Sequence, residues 1–280
     1  METIQMNADS FFTIGSTHQV CEDYSLSGGK DDNSFAVMSD GCSGSPRTDF
    51  GARFLSLAME QILQQKTLNK EEMHNVGLSI AKLMSTTTGL PLACLDATLG
   101  YVFADGDHIR AFMAGDGAIA ARKKDGSKWC AIIEYPSGAP PYISYSLDDD
   151  RTELYLNATN GCQFKIDMYE SSTDLASGYT STIEDEGMHS HVFRFPRDEY
   201  DLVMVMSDGV SSFQKPKNSE TTKYFEEVHA AEIIDRILAV KSAKGDFIKR
   251  RCKRVIKNLC LKAGWKHLDD FSVAALYGGE

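Results

Sequence analysis

Apolar residues recur along this chain in two rhythms, and the rhythm changes with position. Near the start, runs at 10–14 and 35–39 read as strands. Residues 48–66 then carry Phe50, Phe54, Ala58, Ile62 and Leu63 near helical spacing, which predicts a helix with one apolar face. Met73, Val76, Ile80 and Met84 predict a second helix, with Asn69 as its cap and Glu72 as the capping-box partner. After Pro91 the character turns to β. Runs at 97–104, 109–114, 118–123 and 129–135 alternate with turn signals, and Asp105-Gly106 and Asp125-Gly126 suit hairpin tips. Residues 136–191 are polar and turn-rich, with weak strand signals near Leu154 and Phe164. A fully apolar strand at 202–206 precedes two tail helices, about 225–242 and 246–263, and a closing strand at 271–277. Strands in a central block flanked by helix pairs predict an α+β fold: a four-layer α-β-β-α sandwich with two antiparallel sheets inside.

No repeat, low-complexity segment or linker divides the 280 residues, so one domain over 1–280 is expected. The composition, 42% hydrophobic and 25% charged, suits a packed soluble protein. A formal net charge of -11 repels nucleic-acid phosphates and anionic lipid, which argues against either as a general partner. No apolar stretch approaches the roughly 20 residues that a spanning helix requires, and residues 1–12 lack the pattern of a secretory leader. The seven cysteines are scattered and form no Cys-x-x-Cys pair, so zinc or a disulfide framework is poorly supported and a reducing cytoplasm fits best. A cytoplasmic monomer is expected.

The chemistry concentrates in acidic elements at strand ends. Phe35-Ala-Val-Met runs into Ser39-Asp40-Gly41, and Leu202-Val-Met-Val-Met into Ser207-Asp208-Gly209. The run at 109–114 leads to Gly115-Asp116-Gly117, Glu22-Asp23 follows a turn-like segment, and Asp269-Asp270 opens the last strand. A strand end holds its backbone in place while its last side chain leaves the core. Glycine after the aspartate lets backbone approach an ion closely. Gathering so many like charges calls for a cation among them. Two hard cations roughly 4 Å apart can share a water, lower its pKa and turn it on a phosphorus atom.

Taken in order, these motifs resemble the metal-dependent protein phosphatase 2C family, in a divergent bacterial-type form. Gly15-Ser-Thr-His-Gln-Val-Cys-Glu22-Asp23 is similar to the early motif, and Phe35 to Gly44 to the apolar strand with Asp-Gly-x-Gly-Gly. Thr98 and Ala114-Gly115-Asp116-Gly117 match the central elements. Val205 to Gly209 matches Ser-Asp-Gly, and Asp269-Asp270-Phe-Ser-Val the terminal element. The resemblance implies that Asp40 bridges two Mn2+ or Mg2+ ions, with the Gly41 carbonyl on one of them. Asp208 and Asp269 would complete the other shell. Glu22 would serve the Gly41 side mainly through water, supported by Asp23, and Asp116 with Asp208 would hold a third, weaker ion. It further implies a serine/threonine protein phosphatase with a phosphorylated protein substrate and a cognate kinase as its opposite number. A pseudophosphatase with a scaffold role and a hydrolase of small phosphorylated metabolites are the alternatives.

Several positions depart from the family pattern. His18 stands where an arginine usually grips the substrate phosphate, and would contact phosphate only through hydrogen bonds and a charge present below about pH 6.5. Cys42 follows Asp40-Gly41 where histidine or methionine is common, and reads as a small filler; no Cys-x5-Arg loop exists, since Thr48 occupies that place. Asp96 replaces a common glycine, Asp270 a common asparagine, and 136–191 matches the family's flap region poorly. Lys249, Arg250, Arg251, Lys253, Arg254 and Lys257 interleave with apolar residues at helical spacing, which predicts a packed helix with a cationic outer face.

Overall fold

A strand that is apolar at every position needs an apolar neighbour on each face, and the architecture supplies both. A computed structural model describes residues 5–65, 73–218 and 223–278. In chain order it contains β1 (Met6–Thr13), β2 (Asp23–Gly28), β3 (Phe35–Gly41), α1 (Thr48–Gln64), α2 (Met73–Thr87), β4 (Ala97–Asp105), β5 (His108–Ala114), β6 (Gly117–Lys123) and β7 (Lys128–Glu134). Next come α3 (Asp149–Ala158), β8 (Gln163–Ser171), β9 (Tyr179–Glu186), β10 (His191–Pro196), β11 (Tyr200–Met206), β12 (Phe213–Asn218) and β13 (Lys223–Glu227). The chain closes with α4 (Ala230–Leu238), α5 (Phe247–Ile256), β14 (Lys266–His267) and β15 (Phe271–Gly278).

One sheet has the strand order β1-β15-β11-β6-β7-β8-β9, and the other β10-β5-β4-β3-β2, with every pairing antiparallel. Alternation within single strands builds the layers. In β3, Phe35 and Val37 point outward to pack with Leu55, Met59 and Ile62 of α1, while Ala36 and Met38 point inward. In β11, Val203 and Val205 meet them from the facing sheet, and Met204 and Met206 pack outward with Ile233 and Ile237 of α4 and Phe247 of α5. Three apolar layers thus separate helices, sheet, sheet and helices, the expected α-β-β-α arrangement.

Several expectations need correction. Leu154 lies in α3, not in a strand: Asp148 caps that helix through the Arg151 N–H, Asp149 and Asp150 favour its first turn, and Tyr155 is its one buried residue, which leaves almost no periodic signal. The segment from Phe225 does not begin a helix. Residues 223–227 pair with β12, whose other neighbour is β14, and the helix starts only at Ala230. The last helix is regular to Ile256 and continues as a wider π turn over Lys257–Lys262. The capping pair Asn69 and Glu72 lies outside the described residues.

Candidate active site

The register of the five-stranded sheet sets the first acidic pair. Asp23 on β2 lies opposite Asp40 on β3, and Asp40 lies opposite Thr98 on β4. Asp40 shares the inward face of β3 with Ala36 and Met38, so its carboxylate enters the space between the sheets. From the facing sheet, β11 delivers Asp208 at its end, and pairing of β11 with β15 brings Asp269 and Asp270 alongside. The Gly115–Gly117 turn, linking a strand of each sheet, carries Asp116. Both of its glycines have positive φ, and a Cβ on Gly117 would sit 2.3 Å from the Met206 carbonyl oxygen, so only glycine fits there.

Hydroxyls and backbone amides hold the carboxylates in place. Ser207 donates to Asp23 Oδ2 at 2.7 Å and accepts the Ser272 N–H at 2.9 Å, which ties β2 to the β11–β15 seam. Thr98 donates to Asp116 at 3.0 Å, and Thr48, at the start of α1, donates to Glu22 at 2.9 Å. Asp270 accepts the Gly15 N–H at 2.8 Å and the Glu22 N–H at 2.6 Å, latching the early loop onto the last strand. A Cβ on Gly41 would lie 2.8 Å from that of Thr48, so α1 can reach Glu22 only past a glycine.

His18 sits between two of these acids, with Nε2 3.3 Å from Asp269 and Nδ1 3.1 Å from Asp270. Nδ1 lies off the hydrogen-bonding axis, so the second contact is chiefly electrostatic. Burial pushes the imidazole pKa down, but the contact with Asp270 and the charges of Asp270, Asp269 and Glu22 outweigh it and raise the value.

The carboxylates push one another in the opposite sense from ordinary surface acids. Burial first, then the neighbouring Asp23 and Asp208 charges, hold the Asp40 pKa well above the usual carboxylate range. Burial lifts Asp23 to about 7 despite its hydrogen bonds, and burial with the charges of Asp116 and Asp269 lifts Asp208 to about 8. Asp116 and Glu22 are raised mainly by burial as well, against the hydroxyls of Thr98 and Thr48. Asp23, only 1% exposed, has its Oδ1 buried with no hydrogen-bond partner.

The structure therefore gathers Glu22, Asp23, Asp40, Gly41, Asp116, Asp208, Asp269 and His18, all singled out by sequence, at one end of the sandwich. No group of three His, Cys, Asp or Glu side chains among the described residues is already close enough to hold a metal ion. The donor set nonetheless fits a hard divalent cation. Apart from His18 it is all oxygen, it contains an orphaned buried carboxylate atom, and its acids repel one another where a cation would relieve them. A cleft of about 400 Å3 opens beside Asp116 and Asp208 and is also lined by Glu134, Tyr135, Lys165 and Ser211. Another cavity, of about 370 Å3 beside Asp32, Phe35 and Phe103, contains none of these acids.

Sequence reasoning gave no site role to Thr48 or Lys165, and quoted Ser207 and Ser272 only as parts of motifs. A hydroxyl directly before Asp208 and another two positions after Asp270 were the available signal for the serines. Lys165, paired with Asp167 at 2.6 Å, gave none. Cys42 is half-buried, with its backbone N–H on the Asp96 carbonyl.

Comparison with known proteins gives the family and the fold. The family model described as Protein phosphatase 2C matches residues 15–242. No curated protein sequence matches the chain. Among solved structures, the chain is similar to the Mycobacterium tuberculosis serine/threonine phosphatase PstP/Ppp, with 12% identity, TM-score 0.53, and 99% of this chain and 100% of that one covered. It is similar also to PppA, a key regulatory component of the T6SS in Pseudomonas aeruginosa, at 14% identity, TM-score 0.52 and 98% coverage of both. The serine/threonine phosphatase Stp1 from Staphylococcus aureus matches at 11% identity, TM-score 0.51, with 98% of this chain and 94% of that one covered. At these identities the likeness is one of fold.

Proposed function

Because the chain belongs to the protein phosphatase 2C family, we propose that it is a metal-dependent phosphatase that hydrolyses phosphoserine or phosphothreonine esters in proteins. The observation that carries this reading is the meeting of Asp23, Asp40, Asp116, Asp208 and Asp269, from five separate strand ends, in one acidic centre beside an open cleft. The serine/threonine phosphatases named among its structural relatives support the substrate class.

Asp40 with the Gly41 carbonyl, Asp208 and Asp269 would hold two Mn2+ or Mg2+ ions, Glu22 would act through water, and Asp116 with Asp208 would take a third. When bound, such ions lower the pKa of water and offset the phosphoryl charge. The chain's own groups prepare that site. Ser207 fixes the Asp23 carboxylate that faces Asp40, Thr48 fixes Glu22, and Thr98 fixes Asp116. His18 binds Asp269 and Asp270 together and so orients the last strand's acids rather than standing free as a phosphate clamp. The substrate would be a protein phosphorylated by a cognate kinase in the cytoplasm, and residues 1–280 would act as one monomeric domain. No helix among the described residues is long and apolar enough to cross a membrane.

One observation favours a second reading, a catalytically weak scaffold. The position that usually supplies an arginine for phosphate is His18, and both its nitrogens face carboxylates. A single assay separates the two. Purified protein with Mn2+ should hydrolyse an aryl phosphate, stop with chelator, and stop in Asp208→Asn. Folded protein that binds Mn2+ without turnover defeats the enzyme reading.

A further inference from the structure

Asp96 stands where the family resemblance leads one to expect glycine, a residue with no side chain to make contacts. Here its carboxylate is 3% exposed and joins three segments of the chain. Arg151 of α3 donates through Nη2 to both carboxylate oxygens, at 2.7 and 2.8 Å, and Ser144, just before α3, donates to Oδ1 at 2.8 Å. Ser45, in the loop that follows Asp40 and Gly41, donates to Oδ2 at 2.8 Å. The Asp96 backbone carbonyl accepts the Cys42 N–H at 2.9 Å, and Thr98, two residues on, holds Asp116. Arg151 is further fixed by stacking over the Tyr145 ring at 5.0 Å.

We propose that Asp96 is a positioning residue that locks the segment between β7 and β8, residues 136–158, onto the rim of the acidic centre, and so sets how a phosphorylated polypeptide is received there. The lock is independent of whether the centre turns over; its consequence for substrate rests on the phosphatase reading. Salt bridges and hydrogen bonds to one buried carboxylate hold their donors far more firmly than surface pairs do, because each donor loses its partner in a low-dielectric setting if the contact opens. The Cys42–Ser45 loop leaves the centre directly from Asp40-Gly41, so the locked segment and the loop form adjoining walls. An aryl phosphate needs only the acidic centre. A phosphopeptide must also lie along those walls, and its flanking residues meet whatever position Arg151 gives them. Glycine at position 96 could hold no such segment, which matches the weak family likeness of 136–191.

The test compares Asp96→Asn and Arg151→Met with the parent, using a phosphoserine peptide and an aryl phosphate in Mn2+, together with amide hydrogen exchange. Both variants should raise the peptide KM by about tenfold while holding aryl phosphate kcat/KM within about threefold. Exchange should quicken at residues 42–45 and 140–152, and the double variant should be no worse than the poorer single, because both remove one contact. Arg151→Lys, which keeps the charge, should recover part of the peptide KM. If Asp96→Asn fails to fold, Arg151→Met and Ser144→Ala carry the test. Equal losses on both substrates would mean a general loss of stability and would overturn the proposal, as would an unchanged peptide KM or unchanged exchange. A parent protein inactive on both substrates defeats the phosphatase reading alone, since exchange still reports whether the lock exists.

Discussion

Replacing Asp270 with asparagine would install the residue that the family pattern favours, and consensus substitutions usually stabilise. Here the geometry predicts the reverse. Asp270 accepts two backbone N–H groups, from Gly15 at 2.8 Å and Glu22 at 2.6 Å, one on each oxygen. Asparagine offers one acceptor and sets an NH2 against the other N–H, leaving a buried donor unpaired at a cost of about 1–3 kcal/mol. The surviving bond falls from charge-assisted to neutral, roughly 1 kcal/mol more. Loss of the attraction to His18, 3.1 Å away, offsets the relief of repulsion with Glu22 and Asp23, which Asp270 raises in pKa. The net expectation is about 2–3 kcal/mol of destabilisation, or roughly 5–10 °C in Tm for a chain of this size. Thermal melts followed by circular dichroism in chelator measure this without interference from bound metal. A variant melting within about 2 °C of the parent, or above it, would show that the double-acceptor latch does not hold the 15–22 loop.

Gly209→Ala would put a Cβ 1.7 Å from the Asp270 carbonyl oxygen, so the backbone must move; urea denaturation should show a loss of roughly 3 kcal/mol, and an unchanged midpoint would refute the packing. His191 is 8% exposed, edge-on to Phe164 at 4.9 Å and near the Tyr135 hydroxyl, and burial, aided by the charge of His189, lowers its pKa to about 4. Its folded value lies below the free value of about 6.5, so the stability it supports is complete above pH 6.5 and is lost as pH falls towards 4. Near pH 5 that loss is roughly 2 kcal/mol. Since the raised acids of the centre change stability in the opposite direction, the test is the difference between His191→Phe and the parent. The variant should lose about 2 kcal/mol less between pH 7 and pH 5, and parallel pH profiles would refute the assignment.

Strand ends were the most legible feature of the sequence because their signal is local. A run such as Phe35 to Met38, apolar at every position and stopped by Asp40-Gly41, says both that the strand is covered on two faces and where its last side chain escapes. The same holds for Leu202 to Met206 before Asp208. Elements whose stability comes from distant partners left no such mark. α3 buries only Tyr155, and its ionic tie to the rest of the fold is Arg151 on Asp96, 55 residues earlier. β13 is fixed by pairing with β12, so Phe225 to Glu227 were absorbed into the expected helix, which starts only at Ala230.

The two departures at positions 18 and 270 illustrate why residue-by-residue transfer from a family falls short. In the sequence they lie 252 positions apart and read as two independent losses, an arginine for phosphate and an asparagine beside a ligand. In the fold their side chains are 3.1 Å apart, and Asp270 is the leading influence that raises the His18 pKa against burial. They form one unit, a histidine and a carboxylate that replace an arginine and an amide. An arginine at position 18 beside Asp270 would be neutralised by it, and an asparagine at 270 would leave His18 with Asp269 alone. The pair therefore has to be judged together. Restoring the asparagine alone should leave the early loop worse held than in the parent, because Asp270 is also the acceptor on which Gly15 and Glu22 depend.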